Sequence, residues 1–469
     1  MNALLVSLSL VVGAVIVFIA PSYGPIALLF VVIVSGIVIY LVLRSEFDRQ
    51  FLLRTFLCGL IVRLMVGTII FHYNLQDFFG GDATTYDLNG YFTQQGWHGN
   101  QYYATLAERF VQGGAGAWGM MYLVAGVYEL IGRNPLAIQF ISAVIGAATP
   151  IIIFLCAQHI FDNKRVARTA ALLTAFFPSL VLWSSQGLKD GPIMFTLAVS
   201  ILATLKLSER ASLKYVLILT ACLMSLLSLR FYIFYMMAAA VVGAFVIRMR
   251  HTSAQRLLGQ FVAILGIGLA LTWFGVIRYA DTQLTRFANL EAVQTSRLNL
   301  AQSAQSGFAK DVDVSTTRGA LTAIPIGMVY LLFAPFPWQL NNLRQSITLP
   351  EMIMWWSAFP LLILGLWFAI KHRLRQIFPI LMFTAMLSLA YSVFQGNVGT
   401  AYRQRAQLLV FYFIFVAVGL VLVKEKHEER SRRNQEEAIE EWRRREDAKG
   451  RKLKPQIPLS DDPGQRIQA

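Results

Sequence analysis

Long apolar segments recur along the whole chain, and they limit its fold more than any other feature. They lie near 3–20, 25–43, 51–71, 136–160, 169–186, 191–207, 214–229, 231–248, 257–277, 351–370, 376–394 and 408–423. A helix needs about 20 mostly apolar residues to cross the hydrocarbon core of a bilayer. The segments lack the period-two alternation of membrane barrel strands, and a backbone in lipid must satisfy its own hydrogen bonds. The sequence therefore predicts an all-α, polytopic bundle of transmembrane helices.

The distribution of Lys and Arg predicts the orientation of this bundle, because cytoplasmic loops carry an excess of both. Basic clusters occur at 164–168, 248–256 and 371–375, and in the tail from Lys424. All of them lie inside if the N-terminus is cytoplasmic and the chain crosses about twelve times. Two further apolar stretches, 117–131 and 320–337, are shorter or interrupted by Gly and Pro. Counting either one as a crossing moves basic clusters outside, so we expect both to be re-entrant or to lie at the external membrane surface.

This topology divides the chain into three parts. Residues 1–50 form an N-terminal transmembrane hairpin, 51–423 form the main membrane domain, and 424–469 form a charged cytoplasmic tail with a Pro-rich, disordered end. The main domain has two large external loops, at 72–135 and 278–350. Both chain termini are predicted to be cytoplasmic.

The formal net charge of +15 would suggest a nucleic acid partner in a soluble protein. In a chain that is 56% hydrophobic and only 14% charged, cytoplasmic loops explain the excess, and no nucleic acid is expected. The three cysteines, Cys58, Cys156 and Cys222, all fall within apolar segments. They resemble small buried side chains more than a disulfide framework or a metal cluster.

The first external loop contains the stretch FFGGDATTYD at 78–87, which places two glycines and two carboxylates directly after an apolar segment. Asp82 and Asp87 are five residues apart, so on a helix they point about 140° away from each other and need not share a site. The structural interpretation is a turn in which Asp82 caps the next helix. The functional interpretation is a carboxylate that acts as an acid or base at the mouth of the bundle.

Three other predicted external turns are also rich in polar side chains. They are WSSQGLKDGP with Lys189 and Asp190, the end of the seventh span at Arg230, and QGNVGTAYRQR with Tyr402, Arg403 and Arg405. Arg and Lys are the side chains that hold phosphate groups. Each feature also has a purely structural interpretation, since aromatic residues anchor helices at the interface, exposed ion pairs are weak, and arginines reach lipid headgroups. The convergence of four polar turns on one face favours an anion site beside a carboxylate.

With these motifs the sequence resembles the C-fold (GT-C) integral membrane glycosyltransferases, within them the bacterial family-39-like branch of protein mannosyltransferases and lipid A aminoarabinose transferases. GGDATTYD resembles the first-loop motif of that branch, an Asp followed four residues later by a Tyr, here Asp82 and Tyr86. LIGRNPLAIQFISAVIGAATPIIIFLCAQHIF and TAALLTAFFPSLVLWSSQGLKDGPIMF resemble its next membrane helices. The similarity covers 51–250, and GTAYRQR resembles an Arg-bearing turn of polysaccharide-associated members.

The resemblance implies an inverting transfer of a sugar from a polyprenyl-phosphate carrier to a glycan, lipid or protein acceptor. It implies a location in the bacterial inner membrane, among membrane lipids, with an external or periplasmic active site that serves envelope or exopolysaccharide assembly. Asp82 matches the general base, and Asp190 matches a supporting or metal-binding acid. The expected substrate-binding residues are Tyr86, Lys189, Arg230, Tyr402, Arg403 and Arg405, with the basic ones stabilising the departing phosphate. Some members have two adjacent acids in the first loop, but Ala83 follows Asp82 here, so a divalent cation stays an open alternative.

Two other functions are also compatible with such a chain. A polymerase or ligase of O-antigen or exopolysaccharide would use lipid diphosphate donors and place its key residues in one large later loop. A non-enzymatic transporter of lipid-linked saccharides would bury charged residues at mid-membrane, whereas most polar residues here gather at one face. The sequence has no Gly-rich nucleotide loop or ATPase signature, which argues against ATP-driven transport.

Overall fold

The computed structural model describes residues 2–112, 118–249, 254–273, 289–302, 306–340 and 342–448. Within these ranges the regular secondary structure is helical, and strand-like pairing is limited to an isolated bridge between Gly307 and Asn397. This confirms the predicted all-α fold. The Pro-rich end of the predicted tail lies outside the described residues, as does part of the second predicted external loop.

The helices are α1 (Asn2–Ile19), α2 (Gly24–Leu43), α3 (Arg49–His72), α4 (Gln76–Phe79), α5 (Asp82–Trp97), α6 (Gln101–Gln112), α7 (Trp118–Ile131), α8 (Pro135–Phe161), α9 (Lys164–Phe176), α10 (Pro178–Ser184), α11 (Asp190–Glu209), α12 (Leu213–Leu229), α13 (Phe231–Met249), α14 (Ala254–Trp273), α15 (Leu290–Gln302), α16 (Thr317–Phe333), α17 (Leu343–Phe394) and α18 (Val398–Ala448). A short 3-10 turn, Pro337–Gln339, precedes α17.

Six of the described helices are long and apolar enough to cross a membrane: α2, α3, α8, α11, α17 and α18. The bent pair α9 and α10 makes a seventh if it is one broken span. The backbone of Arg373 is not helical, and it divides α17 into two helices where the sequence predicts two spans. The other predicted spans coincide with shorter apolar helices, α1, α12, α13 and α14. The chain is therefore a multi-pass membrane protein, while the count of about twelve crossings stays a prediction.

The order of the long helices defines two ends of the bundle. α8 runs from Pro135 to Phe161, α9 and α10 return, and α11 runs away again from Asp190. The starts of α8 and α11 therefore lie at one end of the bundle, which we call the site end. The turn before α18 lies there too, because Arg403 of α18 contacts Asp190 at the start of α11. The opposite end contains the ion pairs Arg168–Asp48, at 2.5 Å, and Arg165–Glu428, at 3.0 Å. These basic residues belong to a cluster that the sequence predicts to be cytoplasmic.

A break in one membrane segment brings the chain to the site end. Phe177 is extended and Pro178 starts α10, so α9 and α10 meet at a bend of 56°. Because the helical hydrogen-bond pattern stops there, backbone carbonyls lose their usual partners. The buried Arg63 of α3 supplies one replacement, since its guanidinium donates to the backbone carbonyl of Ala175 at 2.9 Å. The same guanidinium donates to the Ser184 hydroxyl of α10 at 2.8 Å. Among the described residues, the hydrogen-bond partners of Arg63 are neutral groups.

Gly146 of α8 allows this packing, and its replacement by Ala is expected to destabilise the protein. An added Cβ would overlap the Ser184 side chain and lie 3.1 Å from Arg63 Nε. Overpacking of this kind costs about 1–3 kcal/mol. We expect thermal unfolding in detergent several degrees lower for Gly146→Ala than for the wild type. Gly126→Ala is the matched control, because open space surrounds the position of its new Cβ. Equal melting temperatures for the two variants would contradict this account of the packing.

Candidate active site

The two glycines of FFGGDATTYD have a clear backbone role. Gly80 has φ +133° and Gly81 has φ +63°, values that side chains with a Cβ rarely adopt. They turn the chain from α4 into α5, so that Asp82 is the first residue of α5. The N-cap position is Gly81, which has no side chain that could cap this helix end. The capping interpretation of Asp82 is therefore wrong.

Asp82 instead contacts a residue more than three hundred positions along the chain. Its Oδ2 accepts a hydrogen bond from Arg403 Nη1 at 2.7 Å. The same guanidinium donates through Nε and Nη2 to Asp190 Oδ2, at 2.9 and 2.6 Å. One arginine thus joins two carboxylates, and we call Asp82, Asp190 and Arg403 the acidic bridge. The first loop, the start of α11 and the start of α18 meet at this point.

The members of the acidic bridge differ in exposure. The side chain of Asp82 is 44% exposed, whereas those of Arg403 and Asp190 are 13% and 1% exposed. The buried Asp190 Oδ1 has no hydrogen-bond partner among the described residues. A buried acceptor without a partner is unusual and often marks a position that meets a ligand. Asp82 is therefore open to a reacting group, and Asp190 keeps one oxygen free.

The turn before α18 is fixed by the second predicted external loop. Phe308 N donates to Gly396 O at 2.9 Å, and Val398 N donates to Ser306 O at 3.0 Å. Ser306 Oγ also donates to the side chain of Asn397 at 2.7 Å. This short antiparallel contact sets the position from which α18 starts, and α18 carries Arg403 in its first two turns.

Lys189 lies directly before α11, beside the acidic bridge. Its Nζ is 5.8 Å from the centre of the Tyr86 ring, and the Tyr86 side chain is buried. Burial, together with the positive charge of Arg230, lowers the pKa of Lys189 to about 7. Burial and the negative charge of Asp82 raise the pKa of Tyr86 above its ordinary value, so it stays a neutral phenol. Lys189 therefore gains its full positive charge more readily when an anion is present.

Arg230 follows α12 and is held by aromatic side chains. Its Nη1 donates to Tyr391 Oη at 3.3 Å, and its guanidinium lies 5.8 Å from the Tyr232 ring centre. Tyr391 Oη in turn donates to Gln407 Oε1 at 2.7 Å. Arg230 makes no carboxylate ion pair within the described residues. Its charge is thus available to an anion.

The structure does not bring Tyr402 and Arg405 to the acidic bridge. Tyr402 Oη donates to the buried Glu351 Oε2 at 2.6 Å. The fully buried Arg405 donates through Nη1 to Leu332 O and Ala334 O, both at 3.0 Å. These contacts join α18 to α17 and to the end of α16. They favour a positioning task for both residues instead of the phosphate contacts that the sequence suggests.

Asp87 is separate from Asp82, as their spacing on a helix predicts. Asp87 Oδ2 accepts from Arg133 Nη2 at 2.6 Å, and Asp87 Oδ1 accepts from the buried Tyr128 hydroxyl. The pair connects α5 to α7 and to the turn before α8. Asp87 is therefore a scaffold residue that joins these elements.

Several residues near the site were not singled out by the sequence analysis. Trp183 supports the acidic bridge, because the Arg403 guanidinium lies 5.5 Å from its ring centre. Tyr391 and Gln407 hold Arg230 in place. The sequence marks these residues only weakly. A Trp in WSSQ and polar residues within apolar segments are as compatible with anchoring at the membrane interface as with a place in the site. Only the packing of distant helices assigns them to the site.

The residues present do not fit a divalent cation bound by the two acids. Among the described residues, no group of three or more His, Cys, Asp or Glu side chains is arranged to hold a metal ion. The Oδ2 atoms of Asp82 and Asp190 both accept hydrogen bonds from Arg403. Mg²⁺ and Ca²⁺ take about six or more oxygen ligands. A positive charge already lies where such an ion would bind.

The arrangement places a partly exposed carboxylate near two cations, Lys189 and Arg230, that make no carboxylate ion pair within the part of the chain that the structure describes. A carboxylate within reach of a hydroxyl can accept its proton, and Lys and Arg in a site shielded from water stabilise a departing phosphate. Acid–base chemistry beside an anionic leaving group is therefore within the capacity of this site end.

Residues 117–278 match the family model described as dolichyl-phosphate-mannose-protein mannosyltransferase. The match covers roughly a third of the chain and includes Lys189, Asp190 and Arg230, while Asp82 and Arg403 lie outside it. This family has the GT-C glycosyltransferase fold, so the resemblance found in the sequence is confirmed, over a range that starts later and ends later than 51–250. Among curated proteins, none matches the chain. The family match supports a membrane glycosyltransferase that uses a polyprenyl-phosphate-linked sugar.

Proposed function

We propose that this protein transfers a glycosyl group, with inversion, from a polyprenyl-phosphate-linked sugar to an acceptor hydroxyl at the external face of the bacterial inner membrane. The observation that carries the proposal is the meeting of Asp82, Asp190 and Arg403 beside Lys189 and Arg230 at one end of the bundle. The acceptor is a polysaccharide, a lipid or a protein, in envelope or exopolysaccharide assembly. Both chain termini are cytoplasmic in this proposal.

In this reaction Asp82 acts as the general base. Its exposed carboxylate accepts the proton of the acceptor hydroxyl while the hydroxyl oxygen forms a bond to the anomeric carbon. The bond from that carbon to the phosphate oxygen breaks on the opposite side, and polyprenyl phosphate leaves with the electron pair. Attack opposite the leaving group inverts the anomeric centre.

Lys189 and Arg230 stabilise the phosphate that leaves. Lys189 is partly buried and close enough to Arg230 for the arginine to lower its pKa, so an anion between the two cations relieves their repulsion. The hydrogen bonds of Arg403 go to the two acids, which gives it the task of holding them in place. Tyr86 supports Lys189 with its ring.

The proposal is tested by turnover of a defined donor in proteoliposomes. We expect the purified protein, given a synthetic polyprenyl-phosphate sugar and envelope extract as acceptor, to release polyprenyl phosphate and form a glycoside of inverted configuration. Mass analysis of envelope glycans and lipid-linked sugars in a deletion strain identifies the natural product. Accumulation of a lipid diphosphate-linked oligosaccharide in that strain would instead favour the polymerase or ligase function.

A further inference from the structure

The guanidinium of Arg403 lies between two carboxylates that come from different helices. Nη1 donates to Asp82 Oδ2 at 2.7 Å, and Nε and Nη2 donate to Asp190 Oδ2 at 2.9 and 2.6 Å. Three of its five N–H groups are therefore used on the acids. Both acids offer the same type of oxygen that a metal ion would take.

The surroundings fix this cation in place. The Trp183 ring lies 5.5 Å from the Arg403 guanidinium carbon, a distance at which a cation is attracted to the ring face. On another side, a Cβ at Gly80 would lie 3.8 Å from Arg403 Nη1, so the first-loop turn packs close to the guanidinium. The side chain of Arg403 is only 13% exposed. The position of the charge is therefore set by the protein and not by solvent.

A positive charge at this position is needed on electrostatic grounds. Asp190 is 1% exposed, and a carboxylate that loses its hydration requires a partner of opposite charge. Asp82 lies beside the same guanidinium and adds a second negative charge. Without a cation the two acids would repel each other, and the first loop would lose the link to α11 that Arg403 makes.

We propose that Arg403 is a built-in cation that takes the place of a divalent ion between Asp82 and Asp190. Glycosyl transfer by this protein therefore needs no divalent metal. The second statement rests on the proposed function, whereas the first concerns the charge balance of the free protein.

Metal content and thermal stability test the first statement without any transfer assay. Wild-type protein is equilibrated with Mn²⁺, passed through a desalting column and measured by mass spectrometry of the metal. We expect metal well below stoichiometric. We also expect melting temperatures that change by less than about 2 °C with Mn²⁺ or EDTA, a shift that corresponds to little free energy of binding. Stoichiometric Mn²⁺ in the wild type, with a melting temperature that EDTA lowers, would overturn the proposal.

Removing the arginine should convert the site into one that accepts other cations. We expect Arg403→Ala to melt several degrees lower than the wild type and to be stabilised again by Mn²⁺ or by guanidinium ion. Arg133→Ala is the matched control, since it also removes an arginine from a carboxylate. Its ion pair contains one acid, Asp87, instead of two, so this variant should gain no Mn²⁺ response. An Arg403→Ala variant that folds and ignores both cations would count against the assignment. If Arg403→Ala does not fold, the measurements on the wild type decide.

Transfer assays then separate this inference from the proposed function. We expect wild-type turnover to be unchanged by EDTA, and Arg403→Ala turnover to fall roughly 100-fold and recover in part with guanidinium ion. Turnover that EDTA abolishes would contradict the role of Arg403 as a built-in cation but would still support the proposed glycosyltransferase function. No turnover of any donor, with the thermal results as expected, would sink the proposed function and leave the cation assignment standing.

Discussion

Asp82→Asn is expected to reduce glycosyl transfer by roughly 10²–10⁴-fold, the contribution of a positioned general base. The amide keeps the size of the side chain and can still accept the hydrogen bond from Arg403 Nη1. It cannot take the proton of the acceptor hydroxyl, so the chemical step slows while donor binding is kept. In steady-state terms, kcat falls and the KM for the donor changes little.

The fold of the Asp82→Asn variant should be almost unaffected. The Asp82 side chain is 44% exposed, and an ion pair that is partly in water contributes little, within about 1 kcal/mol. Size-exclusion profiles and melting temperatures should therefore match those of the wild type. Full transfer activity in this variant would remove Asp82 from the mechanism.

Asp87→Asn provides the contrast within the same helix. Asp87 is bound by Arg133 and by the buried Tyr128 hydroxyl, so its replacement weakens a structural contact by about 1–3 kcal/mol. We expect a lower melting temperature and normal transfer per folded molecule. Activity tracking Asp87 instead of Asp82 would reverse the assignment of base and scaffold.

The fold class follows directly from local sequence features. Apolar segments of spanning length are contiguous in the chain, and in lipid only a helix satisfies the backbone of such a segment. The same reasoning predicts the meeting of Asp82, Lys189, Asp190 and Arg230, because antiparallel spans return alternate turns to one end. It also separates Asp82 from Asp87 by helical geometry alone.

The separate roles of Arg403 and its neighbours in α18 could not be predicted in this way. Tyr402, Arg403 and Arg405 lie within one helical turn, and successive residues differ by about 100° around the axis. Which of them faces the carboxylates depends on the rotation of α18, which is set by Glu351 and by the carbonyls of Leu332 and Ala334. Those partners lie far away in sequence, and no local pattern marks them. The break at Pro178 and its support by Arg63 are of the same kind.

Lys189→Gln is expected to weaken donor binding in a manner that depends on pH. A hydrogen bond from a charged group to a phosphate contributes about 1.5–3 kcal/mol, which corresponds to roughly 10–100-fold in KM. The pKa of Lys189 is lowered to about 7 in the free protein. Below pH 7 most wild-type molecules therefore carry the ammonium group, and the variant shows its full defect there.

The sign of the pH effect follows from the charge of the donor. The phosphate prefers the protonated Lys189, so binding raises the pKa of the amine and takes up a proton above pH 7. Wild-type affinity for the donor consequently falls as pH rises through 7, by up to about tenfold per unit. Lys189→Gln has no such group and loses this slope, so the two proteins converge at alkaline pH.

Donor KM values measured across this pH range for the wild type, Lys189→Gln and Lys214→Gln distinguish the alternatives. Lys214 is an exposed lysine near the start of α12, at the opposite end of the bundle, and its replacement should leave the profile unchanged. A slope that persists in Lys189→Gln would mean that another group near the site titrates. A constant ratio between wild type and variant at all pH values would mean that Lys189 contacts the donor without changing its charge. Of these outcomes, only convergence at high pH supports Lys189 as the cation that binds the departing phosphate. The lowered pKa of Lys189 is the reason that its charge depends on the ligand in this pH range.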